Sequence, residues 1–135
     1  MIKRLLSIKP YSIDFGLLVL RLSAGILMLT HGMPKLMNFA DRMDRFSDPY
    51  GLSSPVSLSL AVFAEVFCSI FLALGLFTRL SLIPLMFTMF TVVFIIHAND
   101  PFSKQELGLL YLLPYITLFF TGPGKYSIDK LLFNK

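Results

Sequence analysis

The sequence predicts an all-α fold, an integral membrane bundle of four helices with both termini cytoplasmic. Three observations favour it. The 135-residue chain is 56% hydrophobic and 15% charged, whereas a soluble domain has about 25% charged residues. Four apolar segments, at about 13–33, 56–77, 80–97 and 106–122, are each close to the roughly 20 residues that cross a bilayer core as a helix. Lys and Arg residues outside these segments are unevenly divided between the two sides, which predicts the orientation.

Basic residues outside the four segments set the expected orientation. The side that carries both termini has Lys3, Arg4, Lys9, Arg79, Lys125, Lys130 and Lys135, and the opposite side has Lys35, Arg42, Arg45 and Lys104. Because cytoplasmic loops carry the excess of Lys and Arg, we expect both termini in the cytoplasm. The long connection after the first segment then faces outward.

The chain is short enough for a single domain, residues 1–135. Cys68 is the only cysteine and has apolar neighbours, so an intramolecular disulfide is excluded and a buried thiol is expected. The net charge of +4 suits anionic lipid headgroups. Since no long basic run occurs, we expect the lipid bilayer as a partner and no nucleic acid. Arg21 interrupts the first apolar run early, so we expect this segment to persist as a span rather than to be cleaved as a signal peptide.

The connections between the segments differ in length. Residues 34–55 form the one long connection, in which Phe39, Met43 and Phe46 recur three and four apart among charged residues. This spacing predicts a short amphipathic helix on the surface. The connection that begins at Gly75 is so short that the second and third spans must form an antiparallel hairpin.

Arg21 lies inside the first apolar segment, where a guanidinium needs a partner because it cannot lose its proton. Glu65 is the other charge deep inside a span. With about 1.5 Å of rise per residue in antiparallel helices, Arg21 lies roughly 10 Å and Glu65 roughly 18 Å from the cytoplasmic end. Two long side chains can close this offset, so we expect an ion pair. Whether the pair only fixes the helix register or also serves a function is left open.

Other polar residues favour a functional role. A four-three-four-three spacing places one set on a single face of the first helix, namely Arg21, Gly25, Met28, Gly32 and Lys35. The two glycines allow another helix or a flat ligand to approach closely.

A second set of ionisable residues is expected near the outer end of the bundle, namely His31, Lys35, His97 and Glu106. Antiparallel tracing brings them to similar depth, and with Glu65 they would form a polar shaft that opens outward. Each also has an ordinary explanation: a histidine at the membrane interface, a lysine that snorkels, or a carboxylate near a helix N-terminus.

Three stretches in order resemble the DoxX family of small bacterial four-helix membrane proteins. They are LRLSAGILMLTHGMPKL, FAEVFCSIFLALGLFTRL and TGPGKYSID, and they match the family's Arg with Gly-x-x-Lys, its Glu with Leu-Gly-Leu-x-Thr-Arg, and its Gly-Pro-Gly-x-x-Ser-x-Asp. The resemblance implies a multi-pass protein of the bacterial inner membrane. It also implies an association with redox chemistry, since related proteins include a subunit of thiosulfate:quinone oxidoreductase and a partner in oxidative-stress complexes.

The stretch GPGKYSID lacks the spacing of a phosphate-binding loop and follows an apolar helix instead of a strand. We expect Gly122, Pro123 and Gly124 to end the fourth helix. Ser127 with Asp129 is expected to cap a short C-terminal helix. The stretch is therefore interpreted as structural.

Two functions from different classes are compatible with these residues. The first is a redox-associated accessory or a quinone-interacting subunit, with a quinone as the candidate cofactor and a redox protein as the partner that supplies electrons. Its candidates for ligand binding or proton relay are Arg21, His31, Lys35, Glu65, His97 and Glu106. The alternative is a non-catalytic membrane scaffold or a small-solute transporter.

Other cofactors are disfavoured by the sequence. Haem between His31 and His97 is disfavoured because both lie near one membrane face, and no metal site is expected. A disulfide-generating enzyme would need a second cysteine. The sequence leaves open whether the chain is an enzyme and whether it forms a homo-oligomer.

Overall fold

The computed structural model describes residues 1–134 and is all-helical over that range. Its helices are α1 (Ile2–Leu5), α2 (Ile13–Met37), α3 (Phe39–Arg42), α4 (Ser54–Leu74), α5 (Thr78–Ile96), α6 (Phe102–Thr121) and α7 (Ile128–Phe133). By length and hydropathy, α2, α4 and α5 can each cross a membrane. The fourth long helix, α6, has 20 residues and packs against α2 and α5. Lys135, which entered the charge comparison, lies outside the described residues.

Local sequence signals set the helix ends. Ser12 caps α2 by accepting a hydrogen bond from Phe15 N at 3.2 Å, which satisfies one of the free amides of the first turn. Gly75 ends α4 with φ +67°, a left-handed conformation that favours glycine. The turn that follows is as short as predicted, and α4 and α5 form an antiparallel hairpin.

The hydrophobic core lies where the four long helices meet. Its fully buried members include Leu72, Leu82, Leu85, Tyr115 and Leu118. Gly25 lets α2 approach α4 closely: an added Cβ would lie 2.9 Å from the Ser69 carbonyl oxygen. The glycines on the polar face of α2 therefore serve helix packing.

The two ends of the bundle differ in what they bring together. At one end, which we call the terminal end, the start of α2 meets the C-terminal segment, and Lys125 N donates to Asp14 Oδ1 at 3.0 Å. The α4–α5 turn meets the same segment, with Asp129 N donating to Gly75 O at 2.8 Å. The opposite end, which we call the loop end, carries residues 38–53 and the α5–α6 turn.

The long connection packs onto the protein. The predicted amphipathic helix is limited to the four residues of α3. The three apolar side chains that predicted it contact a small core cluster of Leu58, Val62 and Val66. The apolar face of this connection thus covers α4.

Candidate functional site

Glu65 is buried in α4 and pairs with Lys35 of α2. Glu65 is 2% exposed, and its Oε2 lies 2.5 Å from Lys35 Nζ. The predicted ion pair between Arg21 and Glu65 is therefore wrong, because the carboxylate takes a different cation of the same helix. We call Lys35 and Glu65 the buried ion pair.

Register and side-chain direction explain this choice. Gly32 packs on the backbone of Glu65, where an added Cβ would lie 2.7 Å from the Glu65 carbonyl oxygen. Side chains lean toward the N-terminus of their own helix, so Lys35 extends back over Gly32 to Glu65. Arg21 precedes Gly32 by about three turns, which places it about 16 Å nearer that N-terminus. Its side chain also leans toward the N-terminus, away from Glu65.

Arg21 instead binds backbone carbonyls at the terminal end. Its Nε donates to Ala73 O at 3.2 Å, and its two terminal nitrogens donate to Pro123 O and Tyr126 O, both at 2.7 Å. The rigid fork of a guanidinium suits several acceptors at once. We call this set of contacts the Arg21 clamp. It joins α2 to α4 and to the C-terminal segment.

The segment that the clamp holds is structural, as interpreted from GPGKYSID. Gly122 follows α6 with φ +78°, and Ser127 makes the expected cap of α7. Asp129 departs from the prediction, because its carboxylate accepts from Phe77 N at 2.7 Å and from Thr78 N at 2.9 Å. It caps α5 rather than α7.

Two π-helical segments lie at the buried ion pair. Residues Phe63–Cys68 of α4 contain Glu65. Residues Val92–Ile96 of α5 begin at Val92, which lines the two cavities beside the ion pair. A π-helical turn shifts the phase of the side chains and is frequent at functional sites. Both π-helical segments therefore lie next to Lys35 and Glu65.

A cavity of about 160 Å³ lies on one side of the buried ion pair. We call it the vestibule. Its ionisable lining residues are His31, Lys35, Glu65, His97, Lys104 and Tyr111. The structure thus brings His31, Lys35 and His97 together with Glu65 around one space.

Hydrogen bonds hold one side of the vestibule mouth in place. His97 Nδ1 and Asp100 Oδ2 lie 2.7 Å apart, and this contact holds the pKa of Asp100 below its usual value. Gln105 Nε2 donates to the His97 carbonyl at 2.8 Å. On the other side, the edge of the His31 ring meets the Tyr111 ring with centroids 5.6 Å apart. His97 is therefore held by hydrogen bonds, whereas His31 has only the contact with the Tyr111 ring.

Glu106 lies outside the site, which corrects its expected place at the mouth. It is exposed and lines neither cavity. The helix α6 begins at Phe102, and Lys104, Gly108 and Tyr111 form its vestibule face. Glu106 is two positions from Lys104 and from Gly108, so it lies on another face of the helix.

A larger cavity, of about 340 Å³, lies on the other side of the buried ion pair. We call it the chamber. It lies between α4 and α5, and its mostly apolar lining includes Lys35, Ala61, Phe63, Glu65, Pro84, Phe87, Thr91 and Val92. Lys35, Glu65 and Val92 also line the vestibule, so the buried ion pair lies between the mostly apolar chamber and the cavity that holds the ionisable side chains.

Residues 46–52 cover the chamber at the loop end, and we call them the roof. Asp48 ties the roof to the start of α4: its carboxylate accepts from Ser57 Oγ at 2.8 Å and from Ser53 N and Leu52 N at 2.9 Å. These hydrogen bonds, the one from Ser57 first, hold the pKa of Asp48 below its usual value. A deprotonated Asp48 thus fixes the roof.

Tyr50 places a hydroxyl in the chamber. Its ring stacks on Phe87 with centroids 5.6 Å apart, and its OH lies 2.7 Å from Thr91 Oγ1. Because Thr91 Oγ1 donates to the Phe87 carbonyl, Tyr50 donates to Thr91 and keeps a lone pair free. The Tyr50 oxygen can therefore accept a hydrogen bond from a ligand.

Sequence reasoning missed Tyr50, Thr91, Lys104 and Tyr111 as site residues. The helical spacing of Lys104 and Tyr111 could have found both once the start of α6 was known. Tyr50 lies in a loop, where periodicity gives no position.

Comparisons with known proteins agree with this architecture. The DoxX family model matches residues 16–98, which is more than half of the chain. The "Inner membrane protein YqjF" of Escherichia coli strain K12 is 31% identical over 127 residues, covering 90% of this chain and 95% of that protein. The "Putative oxidoreductase CatD" of Bacillus subtilis strain 168 is 27% identical over 124 residues, covering 91% of each. No solved structure matches the chain.

Three helices that can cross a membrane and a relative named as an inner membrane protein support the predicted localisation, a multi-pass protein of the bacterial inner membrane. The matching family model and the nearly full-length match with YqjF lead to one conclusion. The chain belongs to the DoxX family.

Proposed function

We propose that this protein is a redox-associated accessory that binds a quinone, or a similar flat molecule with carbonyl oxygens, in the chamber. One observation carries the proposal: the buried ion pair is shared by the mostly apolar chamber and by the vestibule, which is lined by several ionisable side chains. Sites for small apolar ligands combine an apolar slot with a few polar groups that orient the ligand. The chamber has this composition.

The polar groups of the chamber match both forms of a quinone. Lys35 Nζ has three donors, of which one binds Glu65, so another can bind a carbonyl oxygen of the oxidised ring. The free lone pair of the Tyr50 oxygen can accept from a hydroxyl of the reduced ring. Both forms therefore have a partner in the same chamber.

The vestibule gives Glu65 a polar connection toward the loop end. A change in the charge of a ligand in the chamber would change the electrostatic energy of the Glu65 carboxylate, because Glu65 and Lys35 both line that cavity. His31 and His97 line the same cavity as Glu65. In this proposal the vestibule supplies protons, and a separate redox protein supplies electrons. The name of the Bacillus subtilis relative is consistent with a redox setting.

The proposal includes a topology. Residues 1–135 form one domain in which α6 is the fourth span, since its 20 residues reach about 30 Å as a helix. Both termini are cytoplasmic, and the vestibule opens outward. Asp44→Cys and Asn134→Cys, each made in a Cys68→Ser background, test this with an impermeant thiol reagent. The first should be labelled from outside and the second should not, and equal labelling would contradict the topology.

Thermal unfolding with a methoxylated benzoquinone that lacks a side chain tests the binding site. A ligand that prefers the folded state raises the melting temperature. We expect a rise for the wild type and for Lys104→Met, whose side chain belongs to the vestibule alone, and no rise for Lys35→Met. If Lys104→Met and Lys35→Met lose the rise in melting temperature equally, the ligand binds in the vestibule instead.

The scaffold alternative has its own outcome. If the benzoquinone shifts no protein and mass spectrometry of the purified sample finds only phospholipid, the protein is a scaffold. We place this scaffold alternative ahead of a transport path through Arg21 and Glu65, because Arg21 donates to backbone carbonyls and lines neither of the two cavities.

A further inference from the structure

The chamber lies against the lipid-facing surface of two neighbouring helices. Leu60 and Phe63 of α4 and Phe87 of α5 line it, yet each is about half exposed on the outside of the protein, at 53%, 50% and 59%. Because α4 and α5 are long and apolar enough to cross a membrane, the outer surface of these three side chains faces lipid hydrocarbon. The same three side chains therefore border the chamber on one side and lipid on the other, and we call them the rim.

The other routes into the chamber are obstructed. At the loop end the roof is pinned by the three hydrogen bonds to Asp48, and Tyr50 is held on Phe87 and Thr91. Toward the vestibule stands the buried ion pair. The side between α4 and α5 is closed only by the apolar side chains of the rim, which have no hydrogen bonds to break.

The size of the chamber limits what it can enclose. Its volume of about 340 Å³ is at the lower end of the roughly 300–1,000 Å³ of ligand pockets. A ring fits this volume, whereas a ring together with a long alkyl chain does not. A ligand with such a chain must leave the chain outside, and the rim provides an apolar surface for it.

We infer that the ligand enters sideways from the bilayer between α4 and α5, and that it is a tailed, membrane-dissolved molecule whose ring occupies the chamber and whose chain lies across the rim. This inference rests on the proposed function and specifies its substrate class. Lys35 and Tyr50 orient the ring from within, and the rim selects for the chain. Entry from hydrocarbon thereby favours lipid-soluble ligands over water-soluble ones.

Two probes with one ring test the inference: the methoxylated benzoquinone without a side chain, and the same ring with a decyl chain. Affinities are measured in nanodiscs and expressed per concentration in the lipid phase, which removes the effect of partitioning. Leu60→Trp places a large side chain on the rim. Leu110→Trp is the matched control, because Leu110 is 61% exposed on α6 and does not line the chamber.

We expect Leu60→Trp to weaken binding of the tailed probe about tenfold more than binding of the tailless probe, while Leu110→Trp changes neither. A diazirine placed on the decyl chain should cross-link to peptides that contain Phe63 or Phe87. The lateral entrance is wrong if Leu60→Trp affects both probes equally or affects neither. It is also wrong if the cross-links are confined to residues 46–52. In these cases the ligand still binds in the chamber, and the proposed function stands. Failure of both probes to bind the wild type would overturn the proposed function and this inference together.

Discussion

The Arg21 clamp and the buried ion pair use two cations of the same helix face in opposite ways. Arg21 is 2% exposed and its guanidinium is bonded to three backbone carbonyls. Lys35 makes one bond, to Glu65, and its ammonium borders two cavities. A buried charge with its donors committed to the backbone stabilises the fold. A partly buried charge with spare donors beside a cavity can serve a ligand.

The largest expected effect is at the clamp. Arg21→Met leaves three carbonyls without a donor, at about 1–3 kcal/mol for each unsatisfied group, so we expect a loss of about 3–5 kcal/mol in the free energy of unfolding. Arg21→Lys should recover only part of it, because one ammonium cannot reproduce the fork. Thermal unfolding in detergent measures both variants. Arg42→Met, at an exposed position, is the control and should leave the melting temperature unchanged.

The buried ion pair should show coupling that the clamp lacks. Lys35→Met leaves the carboxylate of Glu65 buried without its partner and should cost about 2–3 kcal/mol. Adding Glu65→Gln should restore part of that loss. Arg21→Met and Glu65→Gln should be additive, since distant sites couple weakly. A double-mutant cycle in detergent checks both statements, and coupling between Arg21 and Glu65 would contradict this assignment of partners.

The close packing of α2 on α4 at Glu65 should be sensitive to a single methyl group. In Gly32→Ala the new Cβ would lie 2.7 Å from a backbone oxygen, and we expect a loss of about 1–3 kcal/mol from overpacking. Gly16→Ala is the matched control in the same helix, with nothing within 4 Å. It should be neutral or stabilising, because alanine favours the helix. Equal melting temperatures for the two variants would contradict the register.

The smallest expected effect is at the roof. The hydrogen bonds to Asp48, the one from Ser57 first, hold its folded-state pKa below the unfolded value. Its contribution to stability is therefore present above the unfolded pKa and is lost as the pH falls through the lower folded pKa. Asp48→Asn should therefore speed amide exchange at Leu52 and Ser53 at neutral pH and remove the acid dependence. The nearby Asp44→Asn should change neither quantity, and similar exchange in both variants would show that Asp48 does not fix the roof.

The same comparison shows what the sequence can predict. Hydrophobicity located the three candidate spans and the fourth long helix, and motif reasoning identified the C-terminal stretch as structural. The partners of Arg21 were beyond reach, because its acceptors are backbone carbonyls, which every residue has, and two of the three lie in a segment about a hundred positions away. Glu65 was singled out correctly as a deep charge. Its partner was misassigned because spacing alone ignores the lean of side chains along a helix.

The two cations also give the most direct test of the central claim, that Lys35 belongs to a ligand site and Arg21 to the fold. The tailless benzoquinone is added to Arg21→Lys and to Lys35→Met, and the shift in melting temperature is measured relative to each variant without ligand. We expect Arg21→Lys to keep the wild-type shift from a lower starting temperature and Lys35→Met to show no shift. A shift retained in Lys35→Met and lost in Arg21→Lys would contradict the central claim.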